Sequence, residues 1–173
     1  WIDISDFNEK PAYGELYTYD KQLVASNHGL KIWDPSSETW SSLDIIIQGD
    51  TIRTGKFAHN EDCIITATGN DVFRRLKTNA YWEKILSIDT LDDVEYQTIK
   101  NVYSVDQRFF MITHLVGGDF HYHHILVSDD NGSSWYFMDE DFPILLYQWW
   151  TGIDQITDIN GFAFINAYSQ NLG

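Results

Sequence analysis

Apolar and polar residues alternate over short stretches of this chain, and the three-to-four spacing of an amphipathic helix is almost absent. The runs ELYTYD, KQLVAS, KFAHN, EDCIITAT, VYSVD and QRFFMIT draw on Val, Ile, Tyr, Phe and Thr, with Asn, Asp and Gly between runs. A side-chain period of two, broken by turn formers, predicts β-strands joined by tight turns. The expected class is all-β.

Two markers recur along the pattern. Trp1, Trp40, Trp82 and Trp135 each open an extended segment after a polar turn, at spacings of 39, 42 and 53 residues. Strand–turn–strand pairs pivot on Asp20, Asn60, Asp106 and Asn160, at spacings of 40, 46 and 54. Two registers that drift together indicate a repeating unit of four strands. The first unit places its strands at 14–19, 22–27, 30–33 and 40–47, and the second at 55–59, 62–68, 71–76 and 82–88. The third places them at 101–106, 108–116, 121–128 and 134–139, with extra residues at 91–99 and 117–120 read as loops. Residues 142–155 read as a connection into a fourth unit that starts near Ile156.

Four strands in roughly 40 to 50 residues is the period of a β-propeller blade. The expected architecture is therefore a partial β-propeller in a single domain over 1–173. Whole four-stranded antiparallel blades fall at about 14–47, 55–88 and 101–139, and partial blades at 1–5 and 156–173. Three blades do not close a ring, so the pattern calls for remaining blades of the same chain or an oligomeric partner. On this reading the sequence is a piece of a longer protein.

Composition narrows the partners. Hydrophobic residues are 43% and aromatic residues 16%, which fits a packed core and not disorder. Eleven basic residues face 26 acidic ones, a net charge of −15. A field of that sign repels phosphates and anionic lipid, so neither nucleic acid nor membrane insertion is expected. No apolar run reaches the roughly 18 residues of a membrane helix. Cys63 is the single cysteine, so no internal disulfide or cysteine metal cluster can form, and its CIIT context reads as core.

The octapeptide SDDNGSSW at 128–135 carries the most specific signal. Ser128, Asp130, Gly132, Ser134 and Trp135 fit the pattern Ser/Thr-x-Asp-x-Gly-x-Thr/Ser-Trp. An Asp in a hairpin loop accepts bonds from nearby amides, and Gly supplies a positive φ at no steric cost. Trp buries a large ring beside the turn. On these residues the chain resembles the bacterial neuraminidase repeat (Asp-box) propellers of the sialidase-like and sortilin-like superfamily. The resemblance implies a structural box at the blade periphery, away from a central site, with Trp1, Trp40, Trp82 and Trp135 as blade anchors. The corresponding octapeptides WDPSSETW at 33–40 and RLKTNAYW at 75–82 are degenerate. The first keeps Asp34, Pro35 and Ser36 but lacks the Gly, and the second keeps Asn79 and the Trp.

Members of this family range from sialidases to receptors and proteins without activity, so function has to come from particular residues. A sialidase clamps its substrate carboxylate with three arginines and adds an Asp acid/base and a Tyr–Glu pair. Arg53, Arg74, Arg75 and Arg108 are present without the family's Arg-Ile-Pro motif, and adjacent Arg74 and Arg75 point to opposite faces of a strand. Two acidic loops, Asp92, Asp93 and Glu95, and Asp139, Glu140 and Asp141, offer carboxylate pairs or oxygens for a structural calcium. Neither has the spacing of an EF-hand. His121 and His123 share a strand face, with His114 on the preceding strand, a set suited to zinc or nickel. No nucleophile elbow, phosphate loop or dinucleotide fingerprint is present, and no cofactor is expected. Tyr122, Tyr147, Trp149 and Trp150 are candidates for stacking a sugar ring.

The expected function is a non-catalytic binding or structural propeller, an extracellular or virion component of phage-tail type that recognises a glycan or a protein. The alternative is a sialidase-like glycoside hydrolase whose catalytic residues lie partly outside this chain.

Overall fold

A computed structural model describes residues 15–19, 22–26, 30–43, 45–47, 49–52, 56–79, 81–90, 96–117, 120–138 and 151–169. Among these residues are β-strands, a single 3₁₀ turn (Ile88–Thr90) and no α-helix. The chain divides into two compact units, Trp1–Gly55 and Lys56–Gly173.

The first unit holds a four-stranded antiparallel sheet in sequence order: β1 (Glu15–Tyr19), β2 (Gln22–Ser26), β3 (Leu30–Asp34) and β4 (Thr39–Ser42). The strand expected over 40–47 is broken. β4 stops at Ser42, the Leu43 amide turns back to donate to Leu30 O at 2.7 Å, and β5 (Ile45–Ile47) pairs with β6 (Asp50–Ile52) as a separate hairpin. Gly49 lies in the turn at φ 93°, a backbone angle that side chains disfavour.

The second unit contains two more four-stranded antiparallel sheets and a hairpin. The second sheet is β7 (Lys56–His59), β8 (Cys63–Thr68), β9 (Asp71–Leu76) and β10 (Glu83–Ser87). The third is β11 (Tyr96–Val105), β12 (Arg108–Gly117), β13 (Phe120–Ser128) and β14 (Tyr136–Phe137). The hairpin is β15 (Thr151–Ile159) and β16 (Phe162–Ser169), turned by Asn160 at φ 56° and Gly161 at φ 81°. Two successive positive-φ residues give the tight turn whose twist matches the flanking strands.

Several strand ends of this unit differ from the sequence expectation, and β15 begins at Thr151, inside the connection read at 142–155. β11 begins at Tyr96, inside the predicted loop, because a register shift between Ile99 and Asn101 breaks the two-residue period there. The loop expected at 117–120 shrinks, since β12 runs to Gly117 and β13 starts at Phe120. The last strand expected at 134–139 is only Tyr136–Phe137.

The third sheet packs on both faces. On β12, Phe109 and Met111 point one way and join Cys63, Ile65 and Ala67 of β8. Phe110 and Ile112 point the other way and join Ile153 and Ile156 of β15. Each fully buried apolar side chain stabilises by about 1.5–3 kcal/mol relative to exposure. Cys63 sits in the first seam, and burial pushes its thiol up to about 12, so it is a core residue with no thiolate at neutral pH.

Thr113 follows Phe109 and Met111 on the same face of β12 and is fully buried, yet its Oγ1 has no hydrogen-bond partner. A buried hydroxyl without a partner costs about 1–3 kcal/mol. Thr113→Val is therefore expected to raise the unfolding free energy by about 1 kcal/mol, read from the urea midpoint at unchanged slope. A lower midpoint would show that the hydroxyl is bonded in solution.

Candidate functional site

A dense polar constellation lies in the loop from β13 to β14, where Asp130 gathers its neighbours. Ser128 Oγ donates to Asp130 Oδ1 at 2.9 Å, and the Ser134 amide donates to the same oxygen at 2.8 Å. Ser134 Oγ donates to Oδ2 at 2.6 Å. The Gly132 amide donates to Ser128 Oγ at 2.8 Å, so the serine relays between the carboxylate and the backbone. Trp135 closes the loop, its indole Nε1–H donating to Gly132 O at 3.1 Å. The hydroxyl and then the amide of Ser134 are the main reason the Asp130 carboxyl lies below the usual carboxylate range. Both of its oxygens are occupied as acceptors. A carboxylate held this way fixes a loop and is poorly placed to carry protons.

The loop is also docked on the neighbouring sheet. Asn131 sits at φ 59° and Gly132 at φ 81°. A methyl group on Gly132 would stand 2.7 Å from Ile85 Cδ1 and 2.8 Å from Ile65 Cδ1, both on the second sheet. The glycine thus serves the turn and the close approach together. Arg74 of β9 donates through one terminal nitrogen to Asn131 O at 2.9 Å and Ser133 Oγ at 2.8 Å, while Glu83 holds its other side at 2.8 Å. Asn60, buried in the β7–β8 turn, gives its side-chain amide to Asn131 Oδ1 at 2.6 Å and Gln107 O at 3.0 Å. Its own Oδ1 accepts the amides of Asp62 and Cys63 at 2.9 and 3.0 Å. Sequence reasoning found the box but not this docking. Asn60 was visible only as a turn residue, and Arg74 only as an arginine to test against a substrate clamp.

A related loop closes the first sheet. Asp34 Oδ1 accepts from the Ser36 hydroxyl at 2.6 Å and the Ser36 amide at 2.9 Å, and Oδ2 accepts from Ser37 Oγ at 2.9 Å. These bonds, Ser36 first, bring the Asp34 carboxyl down to about 2. Trp33 and Trp40 flank this loop with ring centroids 5.4 Å apart.

The remaining candidates divide as follows. Trp82 is buried and Trp135 half-buried, while Trp1 lies outside the described residues. Tyr147, Trp149 and Trp150 lie outside them too, as do Arg53 and both acidic loops, at 92–95 and 139–141. Tyr122 and His121 are on β13 opposite Leu115 and Val116. His114 and His123 are direct cross-strand partners, with rings edge to face at 5.2 Å. His123 Nδ1 accepts the Ile153 amide at 2.7 Å, which ties the third sheet to β15 and takes up one of the two ring nitrogens through which a metal could bind. Among the described residues, no group of three His, Cys, Asp or Glu is placed to hold a metal ion. Among the described residues, Arg74 is ion-paired with Glu83 and Arg108 with Asp129, each at 2.8 Å.

No protein-family model matches this sequence, and no curated protein matches it either.

Two outcomes test the loop. Gly132→Ala must strain φ and press on Ile65 and Ile85, and is expected to cost about 2–3 kcal/mol in chemical denaturation. A cost under half of that would mean that the second sheet yields to the loop. The acid response follows from the lowered carboxyl. The stabilisation from Asp130 is complete above the unfolded aspartate value and is lost as pH falls through the folded one. The stability difference between the wild type and Asp130→Asn should therefore be constant near neutrality and shrink below about pH 4. A difference that does not change with acid would mean that the charge contributes nothing.

Proposed function

We propose that this chain is a non-catalytic binding or structural module made of β-propeller blades, displayed on an extracellular or virion surface, where it recognises a glycan or a protein. The observation that carries this reading is the Asp130 loop, whose bonding reproduces what an Asp-box requires and keys one four-stranded sheet to the next. The stacking of apolar faces, second sheet on third and third on the β15–β16 hairpin, supports a blade-like arrangement. A ring would then be completed by further blades of the same chain or by a partner, because propellers use at least about four.

The absence of catalysis rests on engagement of the chemistry within view. Asp130 already accepts three hydrogen bonds within its own loop, and Arg74 and Arg108 answer carboxylates of their own chain. The test is to measure retention on immobilised glycans and release of fluorophore from a panel of aryl glycosides, aryl sialosides included, on the same preparation. Retention without release is expected. Release that scales with protein and disappears on substitution of Arg74 or Arg108 would overturn the reading in favour of a hydrolase.

A further inference from the structure

A cavity of about 430 Å³ opens where the third sheet meets the β15–β16 hairpin. That volume falls in the range of about 300–1,000 Å³ common for small-molecule sites. Phe110, Val127, Met138 and Ala163 line it with apolar surface, and Arg108, Tyr136 and Phe137 complete the wall. The two polar wall residues, Arg108 and Tyr136, are bridged by Asp129, which is not itself part of the wall. Asp129 accepts from Arg108 Nε at 2.8 Å through one oxygen and from the Tyr136 hydroxyl at 2.9 Å through the other. Asp129 stands at a variable position of the box, between Ser128 and Asp130. The rigid loop therefore presents a carboxylate that its own turn does not use.

We infer that this cavity binds a neutral pyranose ring, as a free sugar or as one residue of a glycan. The inference rests on the binding-module reading and assigns that reading a site. Three features select the ligand. First, the arc is both donor and acceptor. A guanidinium has five N–H donors, so with Nε committed others remain, while the Tyr136 hydroxyl oxygen, its proton given to Asp129, has lone pairs to offer. Sugar hydroxyls donate and accept at once and match such an arc. Second, Arg108 and Asp129 cancel in charge. An anionic ligand would approach Arg108 beside the Asp129 carboxylate, on a chain of net charge −15. Third, Tyr136 is 49% exposed although it is a large ring, which leaves an aromatic face beside an apolar floor. The C–H face of a pyranose suits that combination, and an acyclic polyol has no such face. Asp129 beside the phenol also pushes the Tyr136 hydroxyl up, so it remains a protonated donor at neutral pH.

The chain has two methionines, which makes a direct test simple. Met138 lines the cavity, whereas Met111 is fully buried in the seam on the other face of the third sheet. The full chain carrying ¹³C-methyl methionine is titrated with the methyl pyranosides of glucose, galactose and mannose, with N-acetylneuraminic acid, and with sorbitol. The expected result is a saturable shift of Met138 with at least one neutral pyranoside, at a Kd on the order of 1–10 mM, while Met111 stays fixed. Tyr136→Ala should weaken that binding about tenfold, and Arg108→Gln should weaken it as well. Unmoved Met111 in each variant certifies the fold. The proposal is overturned if no neutral pyranoside moves Met138, if sorbitol or the anionic sugar moves it as strongly, or if Tyr136→Ala binds as well as wild type. Retention on an immobilised glycan that survives Tyr136→Ala would remove this site and leave the binding-module reading standing. A wild type that is not retained either would remove the site together with the glycan form of that reading.

Discussion

From Phe109 to Thr113 the strand β12 is buried on both faces, and the arrangement of the Lys56–Gly173 unit follows from that constraint. An antiparallel sheet with one solvated face needs an apolar residue only at every second position. Phe109, Phe110, Met111 and Ile112 are instead consecutive and all buried. Two separate partners must cover them. The second sheet takes the odd-numbered pair and the β15–β16 hairpin takes the even-numbered pair. Neither cover is fixed by apolar packing alone, because non-directional contacts allow sliding. Directional bonds at the edges of the seams supply the register.

Those bonds are placed where backbone would otherwise be left open. At one end of the first seam the Ile99 amide donates to Gly69 O at 3.2 Å, and Lys56 Nζ reaches Ile99 O. At the other end the Asp130 loop meets Asn60 and Arg74. In the second seam His123 takes the Ile153 amide. The box at 128–135 is thus more than a closed hairpin. Its carboxylate freezes the loop, and the frozen loop can then offer Asn131 O, Ser133 Oγ and the bare Cα of Gly132 to the next sheet at fixed positions. A loop that had to be ordered on docking would lose about 1–2 kcal/mol per residue in backbone entropy at that step.

Local signals were legible in the sequence and long-range ones were not. The period-two pattern, punctuated by turn formers, gave most strands of the second and third sheets to within a few residues, because tight turns mark their ends. It failed where geometry departs from the period. The register shift at Ile99–Asn101 hid the start of β11, and the turn-back at Leu43 hid the end of β4. The box itself could be read because all five of its matching residues lie within eight positions. The docking of Asn60 and Arg74 could not, since their partners lie 71 and 57 residues away and nothing in a single sequence marks that distance. The cavity wall has the same character, joining Arg108, Tyr136 and Ala163 from three strands.

The loops between the third and fourth strands of the three four-stranded sheets make physical sense once they are compared by what they bond and not by which letters they keep. Each sheet must reverse the chain between its third and fourth strands and satisfy the amides in that reversal. The third sheet does so with Asp130, which reaches Ser134 four residues on. The first does so with Asp34, one position earlier relative to its Trp, which reaches Ser36 and Ser37 two and three residues on. The second uses no carboxylate of its own loop. The Asn79 amide donates to Leu76 O at 3.0 Å, and the Lys77 amide donates to Asp62 O at 2.9 Å, across to the turn that also holds Asn60. A letter pattern therefore finds one copy where the backbone requirement recurs three times. Repetition in this chain lives in that requirement, and the residues that meet it are free to drift so long as an acceptor lies within reach of the open amides.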